Sequence, residues 1–301
     1  MSDIDGMSNF EPTLLALARD DVEPTAARRG RRLPSRLTIG LGLAGLFALA
    51  TVLSGILQPR DPLAQTLTDR LKGPSTDYLL GTDQLGRDIL SRLLAGLAWS
   101  LGVSAISTVC ALVIGGLVGM LAGWRGGWVR TVLVRAIDIA ISFPTLVLVV
   151  TVMAVLGRGF VSLVATLSIA SWPLFARVVY AETMGLRERE YVLAARLLGV
   201  RSRRALLVHV VPGLRPTLLV MAAFTFADML IAESALSFLG IGAPLAEPTW
   251  GNMLSESRLY LVDAPWMMIA PAGMIVLAVV TANLIGDGLA AHARGRERSI
   301  G

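Results

Sequence analysis

Residues 182–215 read ETMGLREREYVLAARLLGVRSRRALLVHVVPGLR, and this stretch decides how the chain is interpreted. It contains seven arginines and lies between two apolar segments, 160–181 and 216–241, each long enough to cross a bilayer. Positive charge concentrated between two membrane spans is typical of a loop on the cytoplasmic side. We therefore expect an integral membrane protein with a docking surface on this loop.

The composition agrees with a membrane location. Hydrophobic residues make up 54% of the chain and charged residues 16%, and the mean hydropathy is +0.66. The net charge of +5 does not indicate a nucleic-acid partner, because most arginines flank apolar runs and aromatic residues are not interleaved with them. Membrane lipid is the expected environment.

Apolar runs of helical length predict an all-α membrane protein with six transmembrane helices. The predicted spans are 37–57, 99–123, 137–157, 160–181, 216–241 and 266–289. They divide the chain into a tail at 1–36, an external segment at 58–98, a core domain at 99–290 containing the loop 182–215, and a tail at 291–301. With both termini in the cytoplasm, twenty of the 27 basic residues lie inside and seven outside, which fixes the predicted orientation.

The loop itself predicts two short helices separated by a turn. Gly199 is placed to cap the first helix in a left-handed conformation, Ser202 to cap the start of the second, and Pro212 to stop it. A merely solvated, positively charged loop is the alternative. The residues predicted to carry the docking are Glu190, Leu193, Ala194, Ala195, Gly199 and Pro212.

Catalytic and metal chemistry find no support in the sequence. Cys110 is the only cysteine, and His209 and His292 belong to no metal-ligand spacing. No G-x-x-x-x-G-K-[ST] phosphate loop is present, and Lys72 is the only lysine. We expect no metal site, no cofactor in this chain and no enzymatic activity.

Two acidic residues in the fifth predicted span, Asp228 and Glu233, are predicted to lie near a transport pathway, because charge inside a bilayer is costly and often functional. Five helical residues rotate them by about 140° relative to each other, so they need not share a face. We also expect Pro144 and Pro173 to kink their helices, and Asp83 to cap a helix.

The chain resembles the permease subunits of bacterial ATP-binding-cassette (ABC) importers of the dipeptide, oligopeptide and nickel type, specifically the second, shorter permease of the pair. Six runs carry the resemblance: LGTDQLGRDILSRLLAG at 80–96, DIAISFPTLVL at 138–148, REREYVLAARLLG at 187–199, AESALSFLGIG at 232–242, PTWGNML at 248–254 and NLIGDGL at 283–289. The coupling loop of that family carries E-A-A-x3-G. Ala194, Ala195 and Gly199 match this motif, and Leu193 replaces its glutamate.

This resemblance implies the type I importer permease fold in the bacterial cytoplasmic (inner) membrane. It also implies ATP-driven import of peptides delivered by an extracytoplasmic solute-binding protein. The implied partners are a homologous second permease and two cassette ATPases, which bind ATP and magnesium and dock on the coupling helix. Nickel or another small solute is the alternative cargo. A gradient-driven secondary transporter and a channel or scaffold subunit are the alternatives from other classes.

Overall fold

The computed structural model describes residues 35–297, and the side chains of residues 35–293. Regular structure in this part of the chain is helical, apart from one isolated bridge between Thr82 and Asp88. The predicted tail 1–36, except its last two residues, and the end of the predicted tail 291–301 lie outside the described residues.

The α-helices of the described part are numbered in chain order. They are α1 Ser35–Val52, α2 Ser54–Leu57, α3 Ile89–Trp124, α4 Gly127–Ser142, α5 Thr145–Leu156, α6 Phe160–Arg187, α7 Glu190–Leu197, α8 Ser202–Ala205, α9 Val211–Phe238, α10 Trp250–Ser257 and α11 Trp266–Glu297. Five continuous helical segments are long and apolar enough to cross a membrane, and the pair α4 and α5 forms a sixth if it counts as one span. The prediction of an all-helical membrane fold is confirmed.

The third predicted span, 137–157, is not one helix. It consists of the end of α4 and all of α5, which meet at an angle of 88°. Pro144 supplies no backbone N–H, and it holds the preceding Phe143 in an extended conformation (φ −78°, ψ 132°) that ends α4. The expected kink at Pro144 is thus a complete break, whereas α6 continues unbroken past Pro173.

Pro212 does not stop the second loop helix, contrary to the prediction. Helix α8 continues through a single π-helical turn, Leu206–Val210, directly into α9, so that residues 202–238 form one helical segment. Pro212 lies in the first turn of α9. The widened turn before it lets the chain pass a proline that has no N–H to donate.

Helix α3 begins at Ile89, ten residues before the predicted span at 99. Asp88 caps it, since its carboxylate accepts hydrogen bonds from the Ser91 backbone N–H (2.9 Å) and hydroxyl (2.6 Å). The expectation that Asp83 caps a helix near Gln84 is wrong. Asp83 instead holds a turn, accepting from the backbone N–H groups of Leu85 and Arg87 at 2.8 and 2.9 Å.

Helices α3 and α6 pack closely through glycines spaced four residues apart in α3, at 115, 119 and 123. A Cβ on Gly115 would lie 2.5 Å from Phe175 Cβ, and one on Gly119 would collide with the Ala176 carbonyl oxygen. Gly116, on another face, has no atom within 4 Å of such a Cβ. Small residues therefore allow the two backbones to touch along two turns of α3.

Asp83, Arg87, Arg92 and Glu256 form a largely buried group, here called the ion cluster, at the end of the bundle opposite the arginine-rich loop. Asp83 Oδ2 lies 2.6 Å from both Arg87 Nε and Arg92 Nη1, and Glu256 Oε2 lies 2.7 and 2.6 Å from Arg87 Nη2 and Arg92 Nη1. The Arg92 side chain is only 1% exposed. The cluster ties the start of α3 to α10.

Candidate docking site

The first part of the site is the short helix α7 with its capping glycine. Gly199 has φ +83°, and the N–H groups of Gly199 and Val200 donate to the carbonyls of Arg196 and Ala195, both at 3.1 Å. This is the predicted left-handed C-terminal cap, and it is confirmed. The glycine turns the chain sharply after Leu198, so the end of α7 projects at the surface.

Replacing Gly199 with alanine should loosen this turn. A Cβ meets no neighbouring atom there, but a residue with a side chain resists the positive φ by about 1 kcal/mol. We expect trypsin to cleave at Arg196 and Arg201 about fivefold faster than in the unchanged chain. Gly185→Ala is the matched control, since Gly185 lies in α6 with a negative φ and open space around it. Equal cleavage rates in both variants would contradict the strained cap.

A small apolar core anchors the loop to the bundle. Val192 of α7 and Ala205 of α8 are fully buried against Trp124 at the end of α3. Trp124 Nε1 donates to Ser202 Oγ at 2.9 Å, and Arg187 Nη1 donates to the Trp124 carbonyl oxygen at 3.1 Å. Ser202 therefore does not cap α8 as predicted, because Arg201 precedes the helix and the serine hydroxyl faces Trp124. These contacts fasten the loop to the end of α3.

The surface that α7 leaves open is apolar. Leu197 and Leu198 are 88% and 86% exposed, Leu193 is 44% exposed, and Ala194 beside them is exposed. These four residues are called the docking face below. Nothing in the described part of the chain covers them. A leucine pair of this exposure, on a helix anchored from behind, is suited to contact a protein partner.

The predicted docking residues are only partly brought together. Glu190 begins α7 and is exposed, and Ala195 is half-buried behind the docking face. Pro212 lies elsewhere, beside a cavity of about 660 Å³ that Glu182 and Arg215 also line. Sequence reasoning missed Leu197 and Leu198. The sequence feature that could have identified them is the pair of adjacent leucines directly before the capping glycine, Gly199.

The two predicted pathway acids occupy different surroundings. Glu233 is fully buried in the subunit interior, where the hydroxyls of Ser237 and Ser234 donate to its carboxylate at 3.0 and 3.3 Å. It does not line an open pathway in this structure. Asp228 is exposed and lines a crevice of about 280 Å³ formed by α4, α5, α6 and α9.

Two other acids, Asp138 and Asp287, form exposed ion pairs between helices. Asp138 Oδ1 of α4 lies 2.7 Å from Arg177 Nη1 of α6, and Asp287 Oδ2 of α11 lies 3.6 Å from Arg36 Nη1 of α1. Each pair joins two helices through side chains that are 38–69% exposed. Such exposed pairs contribute little to stability.

A hydrogen-bonded group organises the segment before α3. Lys72 Nζ and the Tyr78 hydroxyl donate to the Asp69 carboxylate at 2.5 and 2.6 Å. These bonds, the one from Lys72 foremost, hold the pKa of Asp69 below its usual value. The same contacts raise the pKa of Lys72 and of Tyr78, because each bond to Asp69 favours the protonated donor.

Comparison with known proteins gives consistent matches along the chain. Residues 115–298 match the family described as "Binding-protein-dependent transport system inner membrane component". The dipeptide transport system permease protein DppC of Alkalihalophilus pseudofirmus is 34% identical, over 83% of this chain and 83% of its own length. The glutathione transport system permease protein GsiD of Pectobacterium atrosepticum is 38% identical over 82% and 83%, and the nickel transport system permease protein NikC of Escherichia coli K12 is 36% identical over 86% and 95%.

Proposed function

The chain belongs to the family of binding-protein-dependent transport system inner membrane components, and from that premise we propose that it forms half of a peptide translocation pathway. It is a non-catalytic, multi-pass permease subunit of an ABC importer. Peptide cargo is supported by relatives named for dipeptide and glutathione transport. Nickel is the second candidate cargo, because the nickel permease is similar to the same degree.

The proposed assembly contains a homologous second permease, two cassette ATPases and an extracytoplasmic solute-binding protein. ATP and magnesium bind to the ATPases in this proposal, and the permease contributes the surface on which they act. The single observation that carries the proposal is the docking face, an exposed apolar surface on a short helix that Val192 and Trp124 hold rigidly. A rigid element at a partner's surface transmits the partner's movement to the helices behind it.

The docking face differs from the family motif at Leu193, where the resemblance leads us to expect glutamate. We propose that this permease contacts its ATPase through apolar packing at that position, with Leu197 and Leu198 extending the same surface. Glu190, one turn earlier on α7, is the nearest carboxylate in the helix for a polar contact. The affinity of the permease for its ATPase should therefore change little with salt concentration.

The proposed orientation places the arginine-rich loop and both termini in the cytoplasm. Its support is the distribution of basic residues, since arginine resists translocation across the membrane. The ion cluster and α10 would then lie on the external side, where the binding protein delivers cargo. Cysteine labelling with a membrane-impermeant reagent at Leu259 and at Trp128, which lies on the proposed cytoplasmic side but outside the docking face, tests this arrangement directly, because both positions are more than 70% exposed.

The double variant Leu197→Asp/Leu198→Asp should lose its ATPase partner. Burying each leucine against a partner is worth about 1.5 to 3 kcal/mol, and two buried aspartates add a desolvation cost. We expect the amount of ATPase that co-purifies with the permease to fall at least tenfold. The measurement is quantitative mass spectrometry after affinity purification in mild detergent. Leu259→Asp, a leucine of similar exposure at the opposite end, is the control and should retain the ATPase.

The proposed function is tested by purifying the tagged chain from native membranes and identifying what remains bound. Recovery of a second permease and of P-loop ATPases supports the importer. The complex is then reconstituted in vesicles with its binding protein, and uptake of dipeptide or of nickel is measured with ATP and after collapse of the proton gradient. Uptake that follows the gradient and ignores ATP would establish the secondary transporter instead.

A further inference from the structure

The crevice that Asp228 lines lies at the break between α4 and α5. Ile141 and Thr145 approach it from the two sides of the break, Ser171 and Pro173 from α6, and Thr225 from α9. Among the described residues that line it, Asp228 is the only one that carries a charge. One acidic residue and three hydroxyl-bearing residues therefore line an otherwise apolar crevice.

The crevice lies deep within the membrane-spanning region. Asp228 precedes the end of α9 by ten residues and Ser171 follows the start of α6 by eleven, which places both about 15 Å from the same end of the bundle. Residues 141–147, across the break, are all exposed on this subunit. Broken backbone at that depth is tolerated only where it is covered by protein or lines a water-filled cavity. This face of the subunit is therefore not a lipid-facing surface.

The charge of Asp228 is not balanced within the described part of the chain. Arg177 of α6 lies four residues beyond Pro173, and its guanidinium is already paired with Asp138 at 2.7 Å. No ion pair involves Asp228 among residues 35–293. An ionised carboxylate at this depth is costly unless a cation or water reaches it. The Asp228 side chain is exposed on this subunit, so water can reach it, and its ionised form gives the crevice a negative charge that favours a positive ligand.

We propose that Asp228 is a contact point in the translocation pathway for a positively charged group of the cargo. This inference rests on the proposed function and names the chemistry of its pathway. For a peptide the group is the α-ammonium or a basic side chain, and for nickel cargo it is the metal cation. Thr225, Ser171 and Thr145 supply hydroxyl oxygens that solvate the same group as it passes.

The first test asks whether the crevice is wet and attracts cations, and it does not depend on transport. Ser171→Cys is introduced into a Cys110→Ala background and the complete complex is treated with a trimethylammonium or a sulfonate methanethiosulfonate reagent. We expect the ratio of the cationic to the anionic labelling rate to be at least tenfold higher than in the same protein carrying Asp228→Asn. An unreactive cysteine, or a ratio that Asp228→Asn leaves unchanged, would overturn the proposal.

The second test asks whether the cargo uses this contact. ATP-driven uptake of alanyl-lysine, alanyl-alanine and Ni²⁺ is measured in vesicles for the unchanged complex and for Asp228→Asn, Asp228→Glu and the external control Asp263→Asn. We expect Asp228→Asn to lower uptake of the transported cargo at least tenfold, with Asp228→Glu and the control keeping more than half. Uptake by Asp228→Asn within twofold of the unchanged complex would refute the cargo contact. Absence of ATP-driven uptake by the unchanged complex would instead refute the proposed function. In that case the labelling ratio from the first test still shows whether the crevice attracts cations.

Discussion

Gly119→Val should prevent α3 and α6 from packing and so abolish stable folding of the permease. The Cβ would collide with the Ala176 carbonyl oxygen and lie 3.0 Å from the Tyr180 backbone nitrogen and from Val179 Cβ. Backbone atoms cannot move aside as a flexible side chain can, so the helices must separate. We expect a loss at the upper end of the overpacking range, about 3 kcal/mol or more. The measurement is the yield of monodisperse protein by size-exclusion chromatography, together with its thermal unfolding midpoint.

Gly116→Val is the control for this prediction. It adds the same side chain to the same helix, three residues earlier, where a Cβ has open space. Its helix propensity cost is equal, so the difference between the two variants isolates the contact with α6. Equal yields and equal unfolding midpoints would show that the close approach of the two helices does not stabilise the fold.

Arg92→Met should also destabilise the fold strongly, through the ion cluster. Methionine fills most of the space but leaves Asp83 and Glu256 sharing Arg87 alone, with Asp83 nearly inaccessible to water. Removing one partner of a buried ion pair costs about 3–5 kcal/mol, because the remaining charge is desolvated without compensation. We expect a lower unfolding midpoint and faster proteolysis of the segment before α3.

Two further variants separate this effect from simple loss of charge. Lys72→Met removes a cation from the same segment, but that ammonium group is exposed and should change the unfolding midpoint little. Arg92→Met/Glu256→Met removes a cation and an anion together and should recover part of the lost stability. If Lys72→Met were as destabilising as Arg92→Met, burial of the cluster would not explain the loss.

Hydropathy predicted the approximate positions of the five continuous spans and of the broken pair α4 and α5, because the bilayer imposes a length on each apolar helix whatever its neighbours are. It did not predict where helices begin outside the membrane. Residues 89–98 include Arg92 and read as an external segment, but this arginine is neutralised by Asp83 and Glu256, which are 9 and 164 residues away. Such long-range pairing has no local signature in the sequence.

The prolines also show what the sequence alone does not predict about helix breaks. A proline predicts a missing backbone hydrogen bond, and the structure accommodates that absence in three ways: a full break at Pro144, an unbroken helix at Pro173 and a π-helical turn just before Pro212. Which one occurs depends on the turn before the proline and on the helices packed against it. The sequence identified the positions, and packing determined the outcome.

Within the docking site, the cap at Gly199 was predictable because only a residue without a Cβ readily takes φ +83°. The exposure of Leu197 and Leu198 was not, since leucines in a helix usually face inward. The different surroundings of Asp228 and Glu233 were not predictable from the sequence either. Helical rotation shows that their faces differ, but it does not show that serines enclose Glu233 while Asp228 faces the break between α4 and α5.

Because the helical segment from Ser202 to Phe238 is unbroken, α8, the π-helical turn and α9 are expected to move together. The start of this segment lies in the arginine-rich loop, and the rest lies in the membrane-spanning bundle. Twenty-six residues separate Ser202 from Asp228, a length of about 39 Å along the axis. A tilt of about 5° at the loop would displace the Asp228 end by about 3 Å, comparable to the length of a hydrogen bond. The π-helical turn at 206–210 joins α8 to α9. A change of one residue in the winding of this turn would rotate α9 about its own axis.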